Sequence, residues 1–202
     1  DNGDGTADFN TAAAGVGSHT IAYHYLNPNG CWSDTVRTVF VNNIPTVYFS
    51  GLESQYCEDQ NTVTLYGNPS DGDFTGPVTP IGFGRATFDP GSVPVGIPQN
   101  ITYTWTNPTT GCSNSQTQTV TVNALPVVTF SGLDPEYCVN GVEDTLTGSM
   151  SPLGQFSGPG IEPVNNNGVA YFRPWLAPGG PHTITYIYED ANGCTGTATG
   201  TT

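Results

Sequence analysis

The chain has 202 residues, a formal net charge of −14 and only three basic side chains, Arg37, Arg85 and Arg173. That is too little positive charge to release counterions from a phosphate backbone, which excludes nucleic-acid binding and disfavours anionic membrane surfaces. With 26 Gly, 17 Pro and no lysine, long helices and Lys–Asn isopeptide bonds are also excluded; many short strands joined by turns, stapled if at all by disulfides, are expected.

Along the chain, Asp1-Asn2-Gly3-Asp4-Gly5 opens as an oxygen-rich turn. The block from His19 to Cys31 alternates with a period of two and places Ile21, Tyr23 and Tyr25 on one face, the pattern of a strand facing a core. Thr35–Val41 follows as a Thr/Val-rich strand. Ile44-Pro45 marks a joint, because proline cannot donate to a ladder and fixes its own φ. The first block returns at Gln99–Cys112 with Ile101, Tyr103 and Trp105 in the same column, followed by a strand at Thr117–Val122 and a joint at Leu125-Pro126. It returns again at His182–Cys194 with Ile184, Tyr186 and Tyr188. Asn-Gly pairs at 29–30, 167–168 and 192–193 predict tight turns.

These recurrences are one repeat. Trp32–Cys57 aligns with Ser113–Cys138 without a gap, and 81 residues separate both Cys31 from Cys112 and Cys57 from Cys138, with 82 from Cys112 to Cys194. The chain divides into a truncated module at 1–43, a complete one at 44–124 and a nearly complete one at 125–202. About 80 residues per module, with roughly seven short strands, predict an all-β array of immunoglobulin-like, PKD-like sandwiches joined by short linkers.

Five cysteines at repeating positions point to an oxidising compartment. The favoured pairing lies within modules, Cys57 with Cys112 and Cys138 with Cys194, leaving the partner of Cys31 outside the chain. The rival joins Cys31 to Cys57 and Cys112 to Cys138 across the joints. Spacing does not choose between them.

No constellation of an enzyme stands apart from the repeat. His19 and His182 occupy equivalent strand starts where Gln99 stands in the middle module, and His24 lies on the face opposite the tyrosines. Carboxylates are many, but no pair is singled out as an acid and base. Calcium is the one cofactor candidate, with Asp1, Asp4, Asp71 and Asp73 as its ligands. The full D-x-D-x-D-G loop is missing, and Asn165-Asn166-Asn167-Gly168 in the third module favours a hairpin turn at that place. Trp105 is expected in the core, and Trp32 and Trp175 in core or joint packing rather than as sugar-stacking platforms.

The third module carries the fullest pattern: Phe130-Ser131-Gly132-Leu133, Tyr137-Cys138, Thr145–Gly148, Phe156–Ile161, Phe172-Arg173-Pro174 and the block from His182 to Cys194. This pattern resembles the tandem PKD/Ig-like repeats of large Bacteroidota surface adhesins, such as gliding adhesins of the SprB type and other cargo of type IX secretion. The middle module departs from it at Phe74-Thr75-Gly76-Pro77 and Asn100–Tyr103. The resemblance implies an extracellular, cell-surface stalk or fibre, with targeting and anchoring supplied elsewhere. Its partners would be an outer surface or glycan, or neighbouring repeats. It also raises O-glycosylation at Asp-Thr-apolar tripeptides, here at Thr35 and Thr145. A carbohydrate- or protein-binding module, or a spacer in a secreted enzyme, is the alternative.

Overall fold

The computed structural model describes residues 1–163 and 167–202. Among them helix is confined to one turn, α1 (Thr11–Ala14), and two 3-10 turns at Pro90–Ser92 and Pro174–Leu176. All three turns follow an equivalent Phe-x pair, at Phe9-Asn10, Phe88-Asp89 and Phe172-Arg173. Two of them are capped by the x residue: Asn10 accepts from the Ala13 N–H and Asp89 from the Gly91 N–H. Everything else that is regular is strand.

The first repeat contributes the antiparallel hairpin β1 (Gly17–Leu26) and β2 (Trp32–Val41). The second contributes β3 (Tyr48–Ser50), β4 (Gln55–Cys57), β5 (Val63–Asn68), β6 (Asp73–Thr75), β7 (Thr79–Gly82), β8 (Arg85–Phe88), β9 (Gln99–Thr106) and β10 (Ser113–Asn123). These form two sheets, ordered β3-β5-β8-β7 and β4-β10-β9-β6. The single parallel pairing is β4 with the end of β10, with Cys57 opposite Asn123. The third repeat contributes β11 (Phe130–Ser131), β12 (Asp144–Gly148), β13 (Gln155–Ser157), β14 (Ile161–Pro163), β15 (Val169–Phe172), β16 (Thr183–Glu189) and β17 (Thr195–Thr201). Its sheets, β11-β12-β15-β14 and β13-β16-β17, repeat the same order among the described residues, without a strand at the place of β4.

In each of these two repeats the sheets face one another across their own core. Phe49, Leu65 and Phe88 from one sheet meet Ile101, Tyr103 and Val120 from the other. Leu146, Ala170 and Phe172 meet Phe156, Ile184 and Tyr186 in the same way. The arrangement is consistent with a β-sandwich, and each fully buried Leu, Ile or Phe stabilises it by roughly 1.5–3 kcal/mol. The ring packing is repeated as well: Phe49–Phe74 and Phe130–Phe156 are edge-on with centroids 5.3 Å apart. The central tyrosines reach through the core to backbone, Tyr103 donating to the Pro69 carbonyl and Tyr186 to that of Leu153. Gly67 and Gly148 lie against those rings, and a Cβ at either would sit 2.1 Å from the ring Cζ. The recurrent glycine in that strand is therefore a packing requirement.

The first repeat, read from the sequence as truncated, contributes its hairpin as the only sheet among the described residues. Its column Ile21, Tyr23 and Tyr25 is 42%, 50% and 49% exposed, whereas Ile101, Tyr103, Ile184 and Tyr186 are fully buried. The alternation is that of a core strand; among the described residues no second sheet covers the hairpin's face, as fits a truncated module.

Candidate functional site: the joint between repeats

The three Gly-Cys turns are built alike. The backbone N–H of Asn27, Asn107 or Asp190 donates to the carbonyl of Cys31, Cys112 or Cys194, at 3.0, 2.9 and 2.9 Å. The side-chain oxygen of the same residue accepts from the N–H two positions on, in Asn29, Thr109 and Asn192. Gly30, Gly111 and Gly193 sit at φ of +80°, +73° and +80°, which a side chain would resist. The turn therefore presents a cysteine at a fixed place, just before a long strand. In the third repeat the Asp190 carboxylate also accepts from the Cys194 N–H at 2.9 Å, and that bond holds its pKa below the ordinary value.

The Tyr-Cys element is equally regular. The Tyr56 hydroxyl accepts from the Glu53 N–H at 2.9 Å, and that of Tyr137 from the Asp134 N–H at 2.7 Å. The Cys57 and Cys138 carbonyls cap the following turns by accepting from Gln60 and Gly141. Burial, aided by the hydrogen bond it donates to Asp144, pushes the Tyr137 hydroxyl up to about 12.

One disulfide forms, between Cys57 and Cys194, with Cα atoms 5.6 Å apart and a sequence separation of 137. Cys31, Cys112 and Cys138 are free. This corrects the expected pairings of Cys57 with Cys112 and of Cys138 with Cys194, and the rival scheme as well. The reason lies in β10. Cys112 immediately precedes its first residue, while Cys57 lies opposite its last, Asn123. Ten residues of strand rise roughly 33 Å, against about 4.4–6.8 Å between Cα atoms for a disulfide. In the third repeat Tyr137 and Val139 lie beside Thr202, at the far end of β17 from Cys194. The two cysteines of a repeat belong to its opposite ends, so each faces a neighbour.

The bond is one part of a joint. The Glu58 N–H donates to the Asn123 carbonyl and its carboxylate accepts from the Leu125 N–H, both at 3.0 Å. On the third repeat's side of the joint, Gly196 lies so close to the Pro126 carbonyl that a Cβ would meet its oxygen at 2.1 Å. At the preceding joint the equivalent residue is Asn114, whose amide donates to the Pro45 carbonyl at 2.8 Å. Asn114 and Gly196 escaped notice in the sequence, and Glu58 stood out only as one of several carboxylates beside the calcium candidates. The signal for Asn114 and Gly196 was position: each stands two residues after a Gly-Cys cysteine, at the same step of the repeat.

The remaining candidates are dispersed. Asp1 accepts from the Gly3 N–H, and Asp4 from the backbone and hydroxyl of Thr6, which lowers the Asp4 pKa. Asp71 and Asp73 flank the Tyr103 hydroxyl's turn, and among the described residues no group of three or more His, Cys, Asp or Glu comes together as a metal site. The expected turn at Asn165-Asn166 lies outside the described residues; the adjoining Gly168 has φ +72°. His19 and His182 bond the Gly15 and Pro178 carbonyls, and Gln99 donates to that of Ile97, so all three tie a strand start to the loop before it. His24 pairs with Asp34 in the open. Thr35 and Thr145 are both exposed on strands, β2 and β12. Trp105 packs on the second repeat's core. Trp32 and Trp175 depart from the expected packing, at 67% and 48% exposed; the Arg173 guanidinium lies 5.9 Å from the Trp175 ring centroid and pairs with Glu143 and Glu162.

No family model matches the chain, and no curated protein matches it. Among the described residues no helix is long and apolar enough to cross a membrane.

Proposed function

We propose that this chain is a load-bearing segment of an extracellular bacterial stalk or fibre, built of tandem Ig-like, PKD-like repeats and serving surface adhesion. The observation that carries this reading is the Cys57–Cys194 bond, which joins two consecutive repeats end to end. Tension applied at the chain ends passes through that bond and bypasses the residues it encloses, so most of both sandwiches is shielded from load. Short proline joints and a large negative charge suit a stiff, soluble, self-repelling array. In this reading the partner is an outer surface or glycan, contacted by this segment or another, and Thr35 and Thr145 are accessible for glycans.

Small-angle scattering on the oxidised chain tests the reading. A stalk of three stacked units gives a maximum dimension near 100 Å, from strands of roughly 33 Å each. A single globule of this length, with a radius of gyration near 16–17 Å, would contradict it.

A second reading, a glycan-binding module, draws on Trp175, half-exposed beneath Arg173 where the second repeat has Gly91. Binding on a glycan array that Trp175→Ala abolishes would favour it over a plain stalk.

A further inference from the structure

The outer face of the sheet β3-β5-β8-β7 carries side chains that the third repeat lacks. Phe49, Leu65 and Ala86 lie in the core of the second repeat, so their strand neighbours Tyr48, Tyr66 and Arg85 stand on the opposite face. Tyr66 is paired directly with Arg85 across β5 and β8, and with Ser50 across β3 and β5. Residues so opposed have Cβ atoms about 4.5–5.5 Å apart. Tyr48 is paired with Asn68, whose amide donates to the Tyr48 hydroxyl at 2.7 Å. The two tyrosines, on diagonal positions of one face, are 47% and 51% exposed. Thr64 and Thr87 are opposed a step further along.

Two observations point to a ligand. At the same places the third repeat has Thr129, Thr147, Ser149 and Val169, with Thr147 paired to Val169 as Tyr66 is to Arg85. The fold therefore needs neither the rings nor the cation. The outward positions of this face also hold no carboxylate, in a chain with 17 Asp and Glu. Among the described residues Arg85 makes no ion pair, whereas Arg173 pairs with Glu143 and Glu162. The face stays open inside the array: Thr129, Thr147 and Ser149 are exposed although a complete repeat precedes them, so a preceding repeat does not cover this surface.

We propose that this face of the second repeat binds a carboxylated sugar. The C–H bonds of a pyranose face carry partial positive charge and rest on the negative faces of the Tyr48 and Tyr66 rings. Tyrosine supplies that contact area at low entropic cost, and Asn68 already holds Tyr48. The Arg85 guanidinium takes the sugar carboxylate through two parallel N–H donors. Ser50, Thr64, Asn68 and Thr87 offer hydroxyl and amide partners to the sugar hydroxyls, where a protein partner would want aliphatic side chains. The net negative charge of the chain is screened beyond about 8 Å at physiological salt, so it does not cancel Arg85 at contact range. The proposal deepens the adhesive reading by naming the ligand class and its seat. It needs only the sandwich of the second repeat, so its failure would leave the scattering test of the stalk untouched.

The test is isothermal titration of the oxidised 1–202 chain with two acidic probes, an oligogalacturonate and sialyllactose. Their neutral counterparts, carboxyl-reduced oligogalacturonate and lactose, serve as comparison. At least one acidic probe should bind, and its neutral counterpart should bind about tenfold or more weakly, the loss of a charge-assisted pair. Which acidic probe binds separates a uronic acid from a sialic acid. Tyr66→Ala and Arg85→Gln should each weaken binding by a similar factor without moving the melting temperature, since both side chains are exposed. Thr147→Ala, at the matching place in the third repeat, and Trp175→Ala should leave binding unchanged. No binding of either acidic probe at millimolar concentration, equal binding of the neutral counterparts, or binding that survives either second-repeat variant would overturn the proposal. Binding lost in Trp175→Ala would overturn it too, and so would self-association of the chain that Arg85→Gln abolishes, which would make the face a contact between copies.

Discussion

The two joints of the molecule are related by the repeat but held differently. At the first, Asn114 reaches the Pro45 carbonyl through its side chain, and Cys112 beside it is free. At the second, Gly196 lets the Pro126 backbone come to where a side chain would be, and Cys194 bonds Cys57. The Asn114 bond ties the proline of the first joint to the second repeat and is worth about 0.5–1.5 kcal/mol. A covalent joint cannot separate at all while its sulfurs stay oxidised. The turn is the same in both; what differs within the described residues is the position two steps after the cysteine, Asn114 at one and Gly196 at the other.

The largest way to break the contrast is Cys194→Ser. Opening a loop of this size should remove about 4–5 kcal/mol from the two repeats taken together in the chain-entropy treatment. It should also split one calorimetric transition into two, while reduction of the parent chain should reproduce the effect and leave the variant unchanged. Next is Gly196→Leu, which forces a side chain against the Pro126 carbonyl. A cost of about 1–3 kcal/mol is expected for such overpacking, read as a lower denaturation midpoint for the third repeat. Asn114→Ala at the other joint should cost about 0.5–1.5 kcal/mol and should broaden the scattering profile without changing the disulfide.

The smallest effect concerns pH. The Asp190 carboxylate is held below its ordinary pKa, chiefly by the Cys194 N–H. Its stabilisation of the turn is present above the ordinary carboxylate value and is lost as pH falls below it, through the lowered folded value. Asp190→Asn should keep the turn, as Asn27 and Asn107 do, and remove this acid dependence from the third repeat's unfolding curve.

Much of this was legible in the sequence. The period of two in Ile101-x-Tyr103 and Ile184-x-Tyr186 gave the core strands, and the Asn-Gly steps gave turns with the positive φ that glycine allows. The 81-residue spacing placed each cysteine in its repeat. Alternation marks the apolar face of a strand and not what covers it: the same column at Ile21, Tyr23 and Tyr25 is about half exposed, in the module that the sequence reads as truncated. The disulfide was misjudged for a related reason. Loop length favours an internal pairing, but Cys112 and Cys57 are separated by the whole of β10, and only the strand register reveals that. Nor does sequence show that Gly196 is a contact, since a glycine's function there is the side chain it lacks.

The central claim is that load crosses from the second repeat to the third through Cys57 and Cys194. Single-molecule pulling of the 1–202 chain from its two ends tests it most directly. With the bond intact, 137 residues stay hidden, and the unfolded contour should fall short of the full chain by about 450–490 Å at roughly 3.3–3.6 Å per residue. A reductant should release that length in a single step. A shortfall of only about 180–200 Å per bond, as bonds within each repeat would leave, or no shortfall before reduction, would contradict the account.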